Sequence, residues 1–420
     1  MELLSPAGSP EKMRYALHYG ADAVYAGGDR FSLRTRADNF TPANLPAAVR
    51  ACHAAGKRFY LALNALVPER ELPLLREYLQ EILPAAPDAL IVSDPGVIAE
   101  VRRLSDIPLH LSTQMNTYNA SAFPLYRDLG VTRIILAREL ALEDIAAIRE
   151  RAGDMELEVF VHGALCVAWS GRCLLSHYLT HPAFLGTGET AEATTSRPRS
   201  ANRGDCSHSC RWLFSLHEAR RGGVVLDVEP GQGETLLFAS KDLCLVGHLR
   251  ELAAAGVDAL KIEGRMKSIL YTAVTARVYR AALEGTRRGE NPDPDQLARW
   301  LAELSRLTDR EYTTGFLFDR SDPHLDKVVR ETAPARFMGV VEAAVGGGWR
   351  CRSRNRIDPA TPLSVLGPGM RTLRDFPFRL LDGEGRPLAF VPHSTRFVLE
   401  TAAPLAPLDI LVCEQGAPRT

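Results

Sequence analysis

The chain has no run approaching the roughly 18 consecutive apolar residues that a membrane-spanning helix needs, so no membrane span is expected. Its opening, Met1-Glu2-Leu3-Leu4-Ser5-Pro6, lacks both a basic stretch and an apolar one, so no secretory leader is expected either. Both absences point to the cytoplasm, where thiols stay reduced and grouped cysteines serve metals or catalysis rather than bridges. An excess of charge is missing too. Lys and Arg number 50 against 51 Asp and Glu, a net charge of −1. Bulk charge therefore gives no sign of nucleic-acid binding, and any RNA contact must come from a local patch. Three catalytic signatures are also absent: the His-Glu-x-x-His helix, the Gly-x-Ser-x-Gly elbow and the Gly-x-Gly-x-x-Gly turn. Gly27-Gly28 alone is weak evidence for a phosphate site.

What is present is the composition of an ordinary globular protein, 46% hydrophobic and 24% charged. The 420 residues suffice for one large domain with a small one, or for two to three domains. Four of the eight cysteines fall between Glu158 and Trp212: Cys166 and Cys173, spaced C-x6-C, and Cys206 and Cys210, spaced C-x3-C. An apolar strand runs directly into the first pair, so these thiols are expected at the mouth of a sheet. Soft thiolates suit zinc or an iron–sulfur cluster. Structural zinc usually draws on C-x2-C or C-x4-C knuckles, and neither is present here. Thiols at i and i+4 on one helical turn suit two corners of a cluster better than two ligands of one ion. The plainer alternative is four small buried cysteines. Cys244 is a spare candidate ligand, while Cys52, Cys351 and Cys413 read as structural.

Strand-like and helix-like segments alternate along the first two thirds of the chain. Strands are expected at Glu2–Pro6, Asp22–Ala26, Arg58–Asn64, Ala89–Ser93, Pro108–Ser112, Arg133–Arg138, Leu157–His162 and Ala259–Glu263. Helices such as Pro10–Tyr19, Pro42–Ala55 and Val246–Ala255 each stop before a glycine, a helix-ending signal. Eight such units predict a closed (β/α)8 TIM-like barrel, with an open doubly wound sheet as the alternative. In such a barrel the functional groups sit at the C-terminal ends of the strands. Those ends carry Gly8, Gly27, Gly28, Asn64, Asp94, Gln114, Arg138, Glu139, His162, Glu263 and Arg265. Any one of these could equally be a loop cap or a rim ion pair.

The segment Thr180–Arg203 reads as a flexible insertion with a basic tail of Arg197, Arg199 and Arg203. Phe214–Glu218 and Leu236–Ser240 read as a small hairpin, and Tyr271–Leu283 and Asp295–Leu304 as helices. The expected domains are 1–285 (barrel, with cysteine region 158–212), a helical linker at 286–334, and a small all-β barrel-like or sandwich domain at 335–420. Strands in the last are expected at Val340–Ala344, Trp349–Arg356, Pro362–Leu366, Phe376–Leu381, Leu388–Val391 and Arg396–Glu400. The second places Arg350, Arg352, Arg354 and Arg356 on one face, because strand side chains alternate. Such a row could track an RNA backbone or simply protect a solvated edge.

Three stretches carry a resemblance: Glu158-x-Phe160-x2-Gly163-Ala164-Leu165-Cys166-x4-Gly171-x-Cys173-x-Leu175-Ser176, the opening Glu2–Gly8 with Gly20–Tyr25, and Ser240–Leu243 with Gly256–Ser268. Together they resemble the collagenase-like peptidase family of formerly unknown catalytic type. The resemblance covers roughly residues 1 to 285, and the remainder more loosely. The Cys206-x3-Cys210-Arg211-Trp212 ending is most similar to the family's tRNA-hydroxylating members. It implies a barrel-like N-terminal domain and a 4Fe-4S cluster held by Cys166, Cys173, Cys206 and Cys210. It further implies oxygen-independent hydroxylation of the wobble uridine of tRNA to 5-hydroxyuridine, with prephenate as the apparent oxygen source. Arg265 suits a carboxylate such as those of prephenate, and His162, Glu263 and Arg265 are the expected substrate-side residues. The alternatives are hydroxylation of ribosomal RNA or a quinone precursor, and peptidase activity. For the last, Ser170 lacks an obvious base, and Cys166 with His162 is the nearest thing to a nucleophile pair.

Overall fold

The computed structural model describes residues 1–35, 37–181, 198–212, 241–308, 310–318 and 335–414. Arg197, most of the insertion between the cysteine pairs, and the expected hairpin at 214–240 lie outside the described residues. Eight parallel strands close into a barrel: β1 (Glu2–Pro6), β2 (Ala23–Gly27), β3 (Arg58–Leu63), β4 (Ala89–Val92), β5 (Leu109–Leu111), β6 (Val131–Ile135), β7 (Glu156–Ala164) and, after an intervening strand β8 (Asp242–Cys244), β9 (Ala259–Ile262). Each pairs with the next, and β9 joins β7 to β1. All eight barrel strands expected from the sequence are present, and the barrel is closed rather than open. β8 lies antiparallel along the end of β7, and a short β10 (Tyr312–Thr313) extends from it.

The strands are buried on both faces because helices cover the outside. Leu4, Tyr25, Tyr60, Ala62, Ile91, Ile135 and Phe160 pack into one interior cluster. Their alternates, among them Leu3, Val24, Leu61, Leu90, Ile134 and Val159, are buried too. Helices α1 (Pro10–His18), α2 (Leu45–Ala54), α3 (Leu72–Ile82), α4 (Pro95–Arg102), α5 (Phe123–Asp128), α6 (Leu142–Ala152), α7 (Leu175–Leu179) and α8 (Leu249–Ala254) follow successive strands. Past the ends of α2 and α8, Gly56 and Gly256 adopt φ +65° and +77°, the left-handed turn that stops a helix.

A polar layer crosses the barrel interior. The Arg133 guanidinium reaches Glu2 at 2.7 Å, Glu156 at 2.7 Å and Glu158 at 3.2 Å. Lys261 Nζ reaches the other Glu158 oxygen at 2.7 Å and lies 4.4 Å from the Tyr25 ring centre. Burial disfavours charge on Arg133, but Glu158 and Glu2 outweigh it and hold the cation. His110, buried beside Tyr60, is pushed well below its ordinary range by burial and then by Arg133 and Lys261, so it is neutral.

A second compact unit combines residues 14–21, helices α9 (Ile269–Arg287) and α10 (Pro294–Ser305), and the C-terminal sheet. Thus α9 groups with the sheet, and the two units interleave along the chain instead of following consecutive ranges. The sheet runs β14-β13-β17-β11-β12-β16-β15, all antiparallel. Its strands are β11 (Ala335–Val345), β12 (Gly348–Ser353), β13 (Ser364–Leu366), β14 (Thr372–Leu373), β15 (Arg379–Leu381), β16 (Arg396–Glu400) and β17 (Ile410–Glu414). Among the described residues its end strands β14 and β15 do not pair, so hydrogen bonding does not close it into a barrel. Leu388–Val391 supplies only an isolated bridge to Ile357. Arg277, fully buried on α9, clamps Glu303 of α10 at 2.7 Å and donates to the carbonyls of Gly367 and Arg371.

The expected row of four arginines does not form. β12 ends at Ser353, so only Arg350 and Arg352 lie on the strand. Both turn to Glu342, at 3.7 and 3.3 Å, where Arg396 also binds at 2.9 Å. Arg356 instead pairs with Asp358 at 2.8 Å and lies over the Phe390 ring.

Replacing Arg133 by Ala leaves one oxygen of the Glu158 carboxylate, which has no solvent exposure, without its cation while Lys261 still holds the other. Breaking a buried pair in this way costs about 3–5 kcal/mol. The expected result is a urea unfolding midpoint lowered accordingly; an unchanged midpoint refutes the account of the polar layer.

Candidate active site at the barrel mouth

The C-terminal ends of the strands surround a cavity with about 430 Å³ of open space. Tyr25, Arg34, Asn64, Gln114, Phe160, Lys261, Glu263 and Arg265 line it along with smaller apolar groups. Three cations therefore face one carboxylate. Glu263 accepts a hydrogen bond from the Tyr25 hydroxyl at 3.1 Å and pairs with Arg34 at 3.7 Å. Burial alone would raise the Glu263 carboxyl, but Arg34 and Arg265 outweigh it and hold it below the usual range.

Arg265 is 4% exposed, and its pKa is lowered chiefly by burial. One nitrogen donates to the Leu33 carbonyl. Its Nε and Nη1 are buried with no hydrogen-bond partner among the described residues. Unsatisfied buried donors are costly, and a cation lining a cavity with two of them is built to receive an anion. Glycines make room for it. A Cβ on Gly8 would overlap the Arg265 carbonyl, and one on Gly27 would overlap its guanidinium.

Of the three substrate-side residues expected from the sequence, the fold brings Glu263 and Arg265 to this cavity and turns His162 away from it. Glu158 and Phe160 face inward on β7, and unbroken alternation would send His162 inward as well. A bulge intervenes: Phe160 pairs with Lys261, but His162 pairs with Ile262. An extra residue on one strand reverses the facing of the residues beyond it. His162 lies beside Tyr312, ring centres 5.4 Å apart, and pairs with Cys244 of β8 through its backbone. Asp94 caps α4 by accepting from Gly96 N–H at 2.8 Å. Arg138 lies over Phe160 and helps to hold Glu263 ionised.

Beyond β7 the chain passes Cys166 and makes a tight turn at Trp169–Gly171. Cys173 N–H donates to Asn202 at 3.1 Å. The Ser176 hydroxyl donates to the Arg199 carbonyl at 2.7 Å and accepts from Ser207 N–H at 2.9 Å. These bonds carry the second cysteine pair to the first. Cys210 is pushed up to about 11, first by burial and then by charge on Cys166, Cys206 and Cys173, with Arg211 opposing. Cys173 is raised by burial and likewise by Cys166 and Cys206. All four thiols thus lie within electrostatic range of one another. Among the described residues, no three His, Cys, Asp or Glu side chains converge on a single metal ion. Thiol donors grouped in one region suit zinc or an iron–sulfur cluster. Cys206 Sγ already accepts one N–H, from His208 at 3.3 Å. Cys244 is buried on β8 beside Tyr312.

Arg34 was not singled out by the sequence. Its cation is sustained against burial by Glu263, then by Cys166 and Cys206. It lines the cavity, pairs with Glu263 at 3.7 Å, and lies within electrostatic reach of Cys166 and Cys206. Nothing periodic marks it; it occupies a loop at φ 77°, a conformation uncommon outside glycine that clusters at functional sites. The same loop is tied to the cysteine region where Thr35 N–H donates to the Gly204 carbonyl at 3.1 Å.

Ser170 does have a carboxylate partner, contrary to the expectation. Its hydroxyl donates to Glu139 at 2.6 Å, and its N–H to the other oxygen at 2.5 Å. Yet Ser170 is fully buried, so this pair anchors a turn and offers no accessible nucleophile.

A family model described as peptidase family U32 matches residues 8–327. The chain is 40% identical over 359 residues to the tRNA hydroxylation protein P of Haemophilus influenzae, covering 75% of this chain and 74% of that protein. It is 37% identical over 284 residues to a 23S rRNA 5-hydroxycytidine synthase of Escherichia coli, covering 68% of this chain and 39% of that one. It is 29% identical over 326 residues to a collagenase of Porphyromonas gingivalis, covering 75% and 73%.

Since Glu263 is held below the usual carboxylate range, its contribution to stability is fully present above about pH 4.3. It is lost as pH falls through its own lower value. A Glu263→Gln variant is expected to be less stable than wild type at pH 7, with the gap narrowing on acidification in denaturant titrations. A gap that widens on acidification contradicts the pairing with Arg34 and Arg265.

Proposed function

This chain belongs to peptidase family U32, and on that premise we propose that it is an RNA-modifying enzyme that hydroxylates tRNA. The finer reading is conversion of the wobble uridine to 5-hydroxyuridine without molecular oxygen, with prephenate as the apparent oxygen source. Its support is the 40% identity to a tRNA hydroxylation protein, together with a site whose parts suit the task. The observation that carries it is Arg34, which lines the cavity, pairs with Glu263 and sits in the loop bonded to the cysteine region through Thr35 and Gly204.

In this reading Cys166, Cys173, Cys206 and Cys210 hold a 4Fe-4S cluster. The cluster would supply one-electron carriage for what is, at the base, a two-electron oxidation. The protein's own part is positioning. Arg265 offers two unsatisfied N–H donors to a carboxylate of the co-substrate. Lys261 adds positive charge below it while Glu158 keeps that charge fixed. Glu263, held ionised, orients Arg34 and Tyr25. The walls of Phe160, Ile91 and Ile135 shield the reacting groups from water.

A peptidase would need an accessible nucleophile beside a base. Ser170 is buried and His162 does not face the cavity, so the collagenase relative contributes no mechanism here.

Two measurements test the proposal. Deleting the coding gene is expected to remove 5-hydroxyuridine from bulk tRNA digests analysed by mass spectrometry; an unaltered nucleoside profile overturns the function. Anaerobically purified protein is expected to carry iron and sulfide that Cys206→Ala loses. Zinc in their place, or an unchanged content in the variant, overturns the cluster assignment.

A further inference from the structure

Trp169 is 58% exposed, an unusual place for so large an apolar ring unless something covers it. It is also rigid. Its indole stacks on Tyr118 with ring centres 5.6 Å apart and planes 13° from parallel. The next residue, Ser170, is fully buried at φ 44° and is bound twice by Glu139. Gly171 follows at φ 81°, where an added Cβ would stand 3.5 Å from Gln114 and 3.6 Å from Arg138. Arg172, exposed, is tethered by its Nε to the Gln114 carbonyl at 2.6 Å and has no carboxylate partner among the described residues. Gln114 lines the cavity. The ring plate therefore stands at the cavity rim, held by bonds that leave its own face uncovered.

The surroundings are cationic. Segments 165–181 and 198–212 carry four arginines (Arg172, Arg199, Arg203 and Arg211) against one acid, Asp205. Arg199 pairs with Asp205 at 3.1 Å and Arg203 with Glu71 at 2.7 Å, so with Glu71 counted the excess of positive charge here is two, in a chain whose net charge is −1. Further exposed apolar side chains, Leu174, Tyr178 and Trp212, occur in the same segments. Aromatic faces amid arginines are how proteins grip unpaired nucleotides: the ring stacks on a base and the cations meet phosphates.

We propose that the Trp169–Tyr118 plate is a docking platform for single-stranded RNA, on which a base flanking the target stacks while the target itself enters the cavity. This inference rests on the RNA-modifying reading above and deepens it, because it assigns a surface that recognises unpaired RNA. A target base must leave its stack to be reacted on, and a neighbour held on a fixed indole keeps the strand in register.

The test titrates anaerobically purified, full-length protein with a short stem–loop RNA and, separately, with a fully paired duplex. Wild type is expected to bind the loop RNA with quenching of tryptophan fluorescence, and the duplex without it. Trp169→Leu, which keeps apolar bulk but no ring, is expected to lose that quenching and to bind roughly 5–100-fold more weakly. Trp169→Tyr is expected to recover most of the affinity, and both variants to melt like wild type because the side chain is exposed. Arg172→Gln is expected to lower the salt dependence of binding by about one ion. Loop-RNA affinity and quenching unchanged in Trp169→Leu overturn the platform while leaving the hydroxylase reading intact. Failure of wild type to bind the loop RNA overturns both. Loss of self-association in Trp169→Leu, with RNA binding unchanged, reassigns the plate to a second copy of the chain and overturns the proposal.

Discussion

A carboxylate sealed inside a barrel must be neutralised, or it will not stay charged. Glu158 meets this condition through Arg133 on one oxygen and Lys261 on the other. The pairing links Arg133 of β6, Glu158 of β7 and Lys261 of β9, and Glu2 of β1 joins the set through Arg133. Those strands include the two that close the ring. The same contact holds a cation under the cavity, since Lys261 lines that space as well as the layer beneath it. Loss of Glu158 would leave Arg133 and Lys261 facing each other, and the floor of the site would be the first casualty.

From that floor upward, β7 organises the mouth. Glu158 lies in the polar layer, Phe160 on the cavity wall, and the bulge beyond it turns His162 to the outside. The freed strand end pairs with β8 and runs on to Cys166. One strand thus sets the cavity wall, the direction of the chain as it leaves the barrel, and the starting point of the thiol group. Arg34 adds a cation to that cavity from a loop that Thr35 bonds to the cysteine region.

Periodicity revealed much of this and left the rest hidden for identifiable reasons. The barrel strands were readable because a parallel strand is buried on both faces and makes a short apolar run, as in Leu61–Leu63 or Leu90–Val92. Glu263 and Arg265 were readable because they follow such a run directly. His162 was misplaced because a bulge depends on the pairing of two strands and leaves no mark on either alone. The arginine row was misread for a related reason: β11 carries its own irregularity between Val341 and Ala343, which presents Glu342 to Arg350, Arg352 and Arg396. The strand Ile410–Glu414 and the short Thr372–Leu373 were missed. Lys261 stood inside a quoted motif, but its burial against Glu158 belongs to the closed barrel and cannot be read from one strand.

Net charge was the least informative number in the sequence. A value of −1 averages over carboxylates and cations that do not share surroundings. Inside the barrel, three cations and one carboxylate face a single cavity. On the thiol-bearing segments, four arginines meet one aspartate and Glu71, which pairs with Arg203. Screening in water extends only about 10 Å at ordinary salt, so an approaching anion feels these local sets and not the distant acids that balance the total. The aromatic plate and Arg172 lie on one short segment, and Arg172 is bonded to Gln114 of the cavity that Arg34, Lys261 and Arg265 also line. A ligand with both a negative backbone and flat apolar faces satisfies both features at once, whereas a peptide or a simple carboxylate satisfies only one.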